Sequence, residues 1–472
     1  MIQIDYSQII TNISVIQELQ ELIVEEKPNE HTTLYLTGIM KENASDDYVT
    51  SAKENQVIEV SNSATGKSLF TGLIQSIEIY MSGGLRYLEV RGISFSYLLD
   101  IKKKRRSFQD VSQTYKDLLR KIVKEYNGGD LMDFCTNGKA IGQLWVQYDE
   151  TDWEFIKRMA SHFNQAIFPD SHFDSPKIIL GRKKGANLGK LTDYNYRVSK
   201  NLLEYKTLRD NYIENLQERE RLVYKIKTKE DYQIGDEVSY QNKQLFVYKK
   251  KMRMMGSVLE FFYELCGEKG FLTSYQPNRN IVGVSIRGQV IDRVKEKVKV
   301  KLEIDEKQDK SKAWEFSYST AYAAEGFSGW YCMPELGDTV NIYFPKADEK
   351  EAFGMESLRV HPGGGDKIND PSVKYFATPY GKEIMFKPDE IKITCRGKDS
   401  QDKNIYIRLN EGDGVVIYSS ENIQMKAKKS ITMDSGGSIN LVAKKKLNLR
   451  CKSGEISMGS KIEVNGEDVR IN

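Results

Sequence analysis

From residue 407 onward the chain repeats a short apolar–polar–apolar triplet every eight residues. The triplets are Ile407-Arg408-Leu409, Val415-Val416-Ile417, Ile423-Gln424-Met425, Ile431-Thr432-Met433, Ile439-Asn440-Leu441 and Leu447-Asn448-Leu449. The period then loosens through Ile456-Ser457-Met458, Ile462-Glu463-Val464 and Val469-Arg470-Ile471. A fixed short period constrains a fold strongly, because every unit must be built alike. In a strand the first and third side chains of a triplet share one face. The residues between triplets, such as Glu411-Gly412-Asp413-Gly414, Ser435-Gly436-Gly437 and Lys444-Lys445-Lys446, favour turns or water. Each unit is a very short strand plus a turn.

One chain of such units offers a thin apolar ribbon with unpaired backbone at both edges, which cannot stand alone. Three copies wound about a common axis solve both problems. Ile407, Leu409, Val415, Ile417, Ile423, Met425, Ile431, Met433, Ile439, Leu441, Leu447 and Leu449 then meet on the axis, and neighbouring chains supply the missing hydrogen bonds. Nine such strands stacked would make a rod of about 40 Å. A single-chain solenoid fits less well, since its coils run to roughly 18 residues or more and end in caps, and no cap is evident. The expectation for 371–472 is a trimeric triple-stranded β-helix, or β-prism.

Upstream, alternating strand patterns dominate. They include Gly72 to Tyr80, Arg86 to Val90, Val284 to Val290, Val298 to Leu302 and Thr339 to Phe344. A Gly-Asp turn occurs twice, as Ile234-Gly235-Asp236-Glu237-Val238 and as Leu336-Gly337-Asp338-Thr339-Val340. These patterns predict strands over 1–100, a barrel in 181–276 and another small barrel in 281–360. Two helices stand between the first two sets. One carries Tyr115, Leu118, Leu119, Ile122, Val123 and Tyr126 on one face and stops at Asn127-Gly128-Gly129. The other opens with a capping box, Thr151 to Glu154, and turns Trp153, Ile156, Met159, Ala160 and Phe163 inward.

Catalytic chemistry finds little purchase. Ser61 to Ser68 nearly matches the phosphate loop G-x-x-x-x-G-K-[ST], but Ser61 stands where the first Gly belongs and a strand pattern follows where a helix is needed. It reads as a β-turn. His31, His162, His172 and His361 lack metal spacing, and neither G-x-S-x-G nor H-E-x-x-H occurs. Cys135, Cys266, Cys332, Cys395 and Cys451 are far apart and read as buried or strand thiols. No catalytic residue, metal site or cofactor is expected. The charge of 70 basic against 67 acidic residues argues against nucleic acid as a partner. The basic run Lys102 to Arg106 reads as a solvated connector. Met1 to Tyr6 looks like a first strand without a signal peptide, so the chain is expected to be made in the cytoplasm.

Three motifs carry a family resemblance. Gln147-Tyr148-Asp149-Glu150-Thr151-Asp152-Trp153-Glu154-Phe155-Ile156-Lys157-Arg158-Met159-Ala160 looks like a helix motif Q-Y-x-E-T-x-W-x-F-[IL]-x-R-[LM]-A, with Trp153, Phe155 and Ile156 at its centre. The stretch Gly329 to Val340, with Trp330, Pro334, Gly337 and Asp338, is similar to an OB-fold signature. Thr378-Pro379-Tyr380-Gly381 looks like a T-P-x-G neck leading into a spike. Together they resemble the VgrG spike of type VI secretion and the hub-and-spike proteins of contractile phage tails.

The resemblance implies a mainly β protein with an α+β hub. Its parts would be hub barrel 1 (1–104), a helical insertion (105–180), hub barrel 2 (181–276), an OB-fold (277–370) and the β-helix spike (371–472). It also implies a homotrimer seated on a hexameric inner tube protein, with baseplate proteins around it and a PAAR-like tip protein below, and with effector cargo as a further passenger. The target-cell envelope is what it would puncture, from a particle delivered to that envelope or the extracellular space. Unlike some relatives, the chain shows no lysozyme insertion, and no His-x-His lies beyond His361. The competing reading is a trimeric tail fibre that binds or hydrolyses glycans.

Overall fold

The computed structural model describes residues 6–191, 195–255, 258–324, 328–358, 369–397, 404–452 and 454–466. It forms two compact units, Met1–Val360 and His361–Asn472. The strand expected at Met1–Tyr6, His361 and the triplet Val469–Ile471 lie largely or wholly outside the described residues.

In the first unit, the alternation of apolar and polar residues produces a long antiparallel sheet. Its spatial order is Val57–Asn62, Lys67–Ser82, Leu85–Ser94, Thr33–Met40 and Ile16–Glu26. Ser63 to Gly66 form the turn between the first two of these strands, with Gly66 at φ +68°. Lys67 and Ser68 therefore enter a strand, so the near-match to a phosphate loop is a hairpin.

The strands expected as two separate barrels in 1–104 and 181–276 are present, but they are hydrogen-bonded into one twelve-stranded sheet. Ile16–Glu26 pairs along its outer edge with Lys243–Met255, placing Met252 opposite Val24 and Met254 opposite Leu22. The reason is physical: an eleven-residue strand with an open edge and a buried face is most stable when that edge is paired. The two halves share one core, in which Leu22, Val24, Leu36 and Phe70 meet Ile226, Met252, Phe261 and Tyr263.

Between the halves stand the two expected helices, Tyr115–Val123 and Asp152–Ser161, the first ending before Tyr126 and the Asn127-Gly128-Gly129 stop expected for it. Thr114 caps the first by accepting from the Asp117 N–H, and Thr151 with Glu154 forms the complete capping box of the second. Leu118, Leu119, Ile122, Phe155, Ile156 and Met159 make a core of their own with Trp145 and Trp153.

Ser285–Val294, Lys297–Leu302, Glu315–Tyr318, Phe353–Leu358 and Thr339–Tyr343 close into the small barrel expected here, with five strands. Val290, Val298, Val300, Phe316, Val340 and Ile342 fill it. A Cβ at Gly288 would stand 2.7 Å from the Lys301 carbonyl oxygen, so two strands meet there more closely than any other residue permits. The recurring Gly-Asp turn is one structure built twice. Gly235 and Gly337 take φ +90° and +92°. Asp236 and Asp338 each accept from a backbone N–H three residues back, of Gln233 and Glu335, both at 2.8 Å.

In the second unit, Lys374–Ala377, Lys382–Phe386, Glu390–Arg396, Asn404–Asn410 and Gly414–Ser419 form a five-stranded antiparallel sheet. Thr378 to Gly381 is the hairpin turn between the first two strands, with Gly381 at φ +72°. The T-P-x-G segment is thus inside a sheet and not a linker ahead of one. Leu447–Arg450, Gly454–Met458 and Ile462–Gly466 form a second antiparallel sheet. Triplets in both sheets find backbone partners within their own chain, so for these the hydrogen bonds need not come from neighbours. Residues 420–446 are assigned to no strand.

Candidate functional site

The five-stranded sheet of the second unit has one apolar face. Its register aligns Ile384, Ile393, Ile407 and Ile417 across four strands, and Phe386, Ile391, Leu409 and Val415 beside them. Because cross-strand partners and residues two apart point the same way, all eight lie on one side. Ile405, two residues before Ile407, joins them. In the single chain their exposures run from 37% to 65%. The opposite side is polar and aromatic: Lys392 lies over Tyr406, which stacks on Tyr418, and Arg408 pairs with Asp413.

The next triplets carry the same chemistry without the ladder. Ile423, Met425, Ile431, Met433, Ile439 and Leu441 are each more than half exposed. Leu447 and Leu449 return to a sheet, where they sit opposite Met458 and Ile456. The twelve repeat residues thus fall into three groups: four on the first sheet, six on the unladdered segment and two on the last sheet.

Sequence reasoning began this face at Ile407 and missed Ile384, Phe386, Ile391, Ile393 and Ile405. The signal was available as the same triplet form in Ile384-Met385-Phe386 and Ile391-Lys392-Ile393. The polar Asp399-Ser400-Gln401 where a triplet is due, and the seven-residue step from Ile384 to Ile391, hide it. An open apolar face of this size is more than a lone soluble chain normally exposes. If covering each half-exposed side chain is worth about 1 kcal/mol, nine of them favour a partner surface by on the order of 10 kcal/mol per chain.

The helix motif proves to be an internal joint. Trp153 is buried with its ring 4.1 Å from that of His31, and Phe155 and Ile156 are wholly buried. Asp152, which has no exposed side-chain surface, accepts from Lys104 Nζ, Arg106 Nη2 and Tyr126 Oη at 2.7 Å each, and from Gln147 Nε2 at 2.9 Å. Arg158 donates to Glu150 at 2.7 and 2.8 Å, to the Val146 carbonyl at 2.9 Å and to Glu349 at 3.0 Å. Burial would lower the pKa of Arg158, but Glu349 and Glu150 outweigh it and raise the value.

This arrangement corrects the reading of Lys102–Arg106 as a solvated connector. Lys104–Phe108 is a strand paired with Trp145–Glu150, and two of its cations are held by Asp152. No spacing rule connects Glu349 with Arg158, 191 residues away, so this contact was not legible.

The OB-fold signature splits. Pro334 is buried, and Gly337 and Asp338 build the turn into the next strand. Trp330 is 60% exposed beside the still more open Tyr331. Among the described residues no group of three or more His, Cys, Asp and Glu could hold a metal ion. His31 bonds Ser96 and Asp100, His162 packs between Trp145 and Tyr275, and His172 pairs with Asp170. Cys266 is buried and Cys395 lies in a strand, whereas Cys332 and Cys451 are exposed outside strands, contrary to expectation. Nothing in their alternation with neighbours marked them as surface positions.

No family model matches the sequence, and no curated protein is significantly similar to it. Solved structures do match. The E. coli c3393 protein, described as a type VI secretion component similar to the T4 phage tail proteins gp27 and gp5, is 14% identical. It matches with a TM-score of 0.53 over 74% of this chain and 99% of its own. This is the VgrG and phage-tail hub fold. A half-lidded Francisella PdpA-VgrG complex matches at TM-score 0.54 and 9% identity, over 85% of this chain and 83% of that one. A lidless PdpA-VgrG complex matches at 0.54 and 10%, over 85% and 93%. Identities this low speak for the hub fold alone, and that fold is mainly β, as the sequence motifs led one to expect.

Proposed function

We propose that this chain is the homotrimeric hub and spike of a contractile injection machine. It would join a hexameric inner tube to a tip protein and enter a target envelope when the sheath contracts. The observation that carries this reading is the apolar face of the C-terminal unit, continued by the repeat units of 420–446, which are assigned to no strand. Three copies facing inward would cover both at once. The hub fold supports the placement beside tube and baseplate proteins. Within the proposal, 1–104, 105–180 and 181–276 form the hub, 277–370 the OB-fold and 371–472 the spike.

The work proposed is mechanical. Trp153, Phe155, Ile156 and the Asp152 and Arg158 networks make a stiff joint, and no residue acts as nucleophile, acid or base. Synthesis in the cytoplasm, assembly into the particle, a PAAR-like tip and effector cargo belong to the same proposal.

The test is deletion of 371–472 in cells that assemble the particle. The first unit has its own cores and should stay folded and able to bind tube or baseplate proteins. Release of inner tube protein into the medium should be lost. Release at the normal level without the spike would contradict the proposal.

A further inference from the structure

The charge of this chain is concentrated in one place. The whole sequence has 70 Lys and Arg against 67 Asp and Glu. Between Ile423 and Lys452 there are eight Lys and Arg and one acid, Asp434, a net charge of +7. Taking that stretch away leaves 62 cations against 66 anions, so the remainder is net negative.

Position in the repeat sharpens the contrast. The turn site five and six residues after each triplet begins holds Gly412-Asp413, Ser420-Glu421, Lys428-Lys429, Gly436-Gly437 and Lys444-Lys445 in turn. One structural position therefore changes from acid to base along the chain, and the two lysine pairs lie two repeats apart. Lys428, Lys429, Lys444 and Lys445 are exposed, and none has an ion-pair partner among the described residues. On the large sheet of the first unit, by contrast, Lys225, Lys227, Lys249 and Lys251 each hold a carboxylate within 3.2 Å. Unpaired like charges repel, the more so when three copies share an axis, and this opposes assembly. They match a surface that carries the opposite charge.

Nucleic acid and an anionic bilayer both present dense phosphate. The residues favour the bilayer. No Phe, Tyr or Trp occurs after Tyr418, so bases would find no stacking platform. Seven of the eight cations are lysines, compact point charges without the guanidinium fork that reads base edges. Lysine clusters of this kind are drawn to anionic headgroups.

We propose that the lysine-bearing turns of the repeat form a cationic sleeve that docks on the anionic lipid surface of a bilayer. The inference rests on the spike reading, because the sleeve is cationic rather than apolar only if Ile423, Met433 and their equivalents face inward.

The test is co-sedimentation of the full-length protein with vesicles of phosphatidylcholine alone, and of equal parts phosphatidylcholine and phosphatidylglycerol. Binding is expected on the mixed vesicles only and should fall as salt is raised. The combined variant Lys428→Gln, Lys429→Gln, Lys444→Gln, Lys445→Gln should keep its oligomeric mass and bind at least about tenfold more weakly. Absence of binding to either vesicle, or binding that the variant does not weaken, overturns the inference and leaves the spike reading intact. Tighter binding to a single-stranded oligothymidine than to mixed vesicles at equal phosphate overturns it in favour of nucleic acid. Equal binding to neutral vesicles means that the apolar triplets face outward, and overturns the spike reading with it.

Discussion

Burial and charge meet most closely at the second helix. Asp152 is surrounded by four donors and Arg158 by three acceptor groups, so each buried charge is compensated where it stands. Breaking such a set by removing one partner leaves an uncompensated charge, and the cost is characteristically larger than the set's net worth. His162, at the end of the same helix, is uncompensated in a different sense. Its Nε2 is buried without a hydrogen-bond partner. Burial first, and the Arg158 charge second, lower its pKa from 6.5 to about 4, with Asp348 pulling weakly the other way. Because the folded value lies below the unfolded one, protonation favours the unfolded chain. The stability this group contributes is whole above pH 6.5 and is lost as pH falls towards 4, by up to about 3 kcal/mol. Thermal melts should show that acid loss, and His162→Phe, which keeps ring contacts with Trp145 and Tyr275, should flatten it. Parallel pH profiles for the two proteins would contradict this assignment.

Among the elements, local signals were read well and distant pairings were not. The capping box at Thr151 and Glu154, the hairpin at Ser63–Gly66 and the twin Gly-Asp turns are all set by residues within a few positions of one another. The pairing of Ile16–Glu26 with Lys243–Met255 spans more than two hundred residues, and nothing in either strand names its partner. That is why the hydrogen bonding between the two strand sets was not foreseen. The repeat was legible because its period is short, yet its face was traced only from Ile407 because Asp399-Ser400-Gln401 is polar where a triplet is due. The inward assignment of its unladdered part has a direct test. Met433→Asp would place three carboxylates together near a threefold axis, at a cost on the order of several kcal/mol per trimer. Lys445→Asp, in a turn, should be nearly silent. Equal melting of both variants would contradict the inward and outward assignment.

For the whole molecule, the hub fold and the open C-terminal face bear on one question, which is how many chains make the working particle. The first unit buries its apolar residues in continuous cores within one chain. The second exposes Ile384, Ile407, Ile417, Ile431 and Met433 along its length in the single chain. The proposal therefore stands or falls on assembly. The most direct measurement is the mass of the purified full-length chain by light scattering under dilute native conditions. A mass close to three times 54.2 kDa is predicted, and a mass equal to that of a single chain would contradict the account.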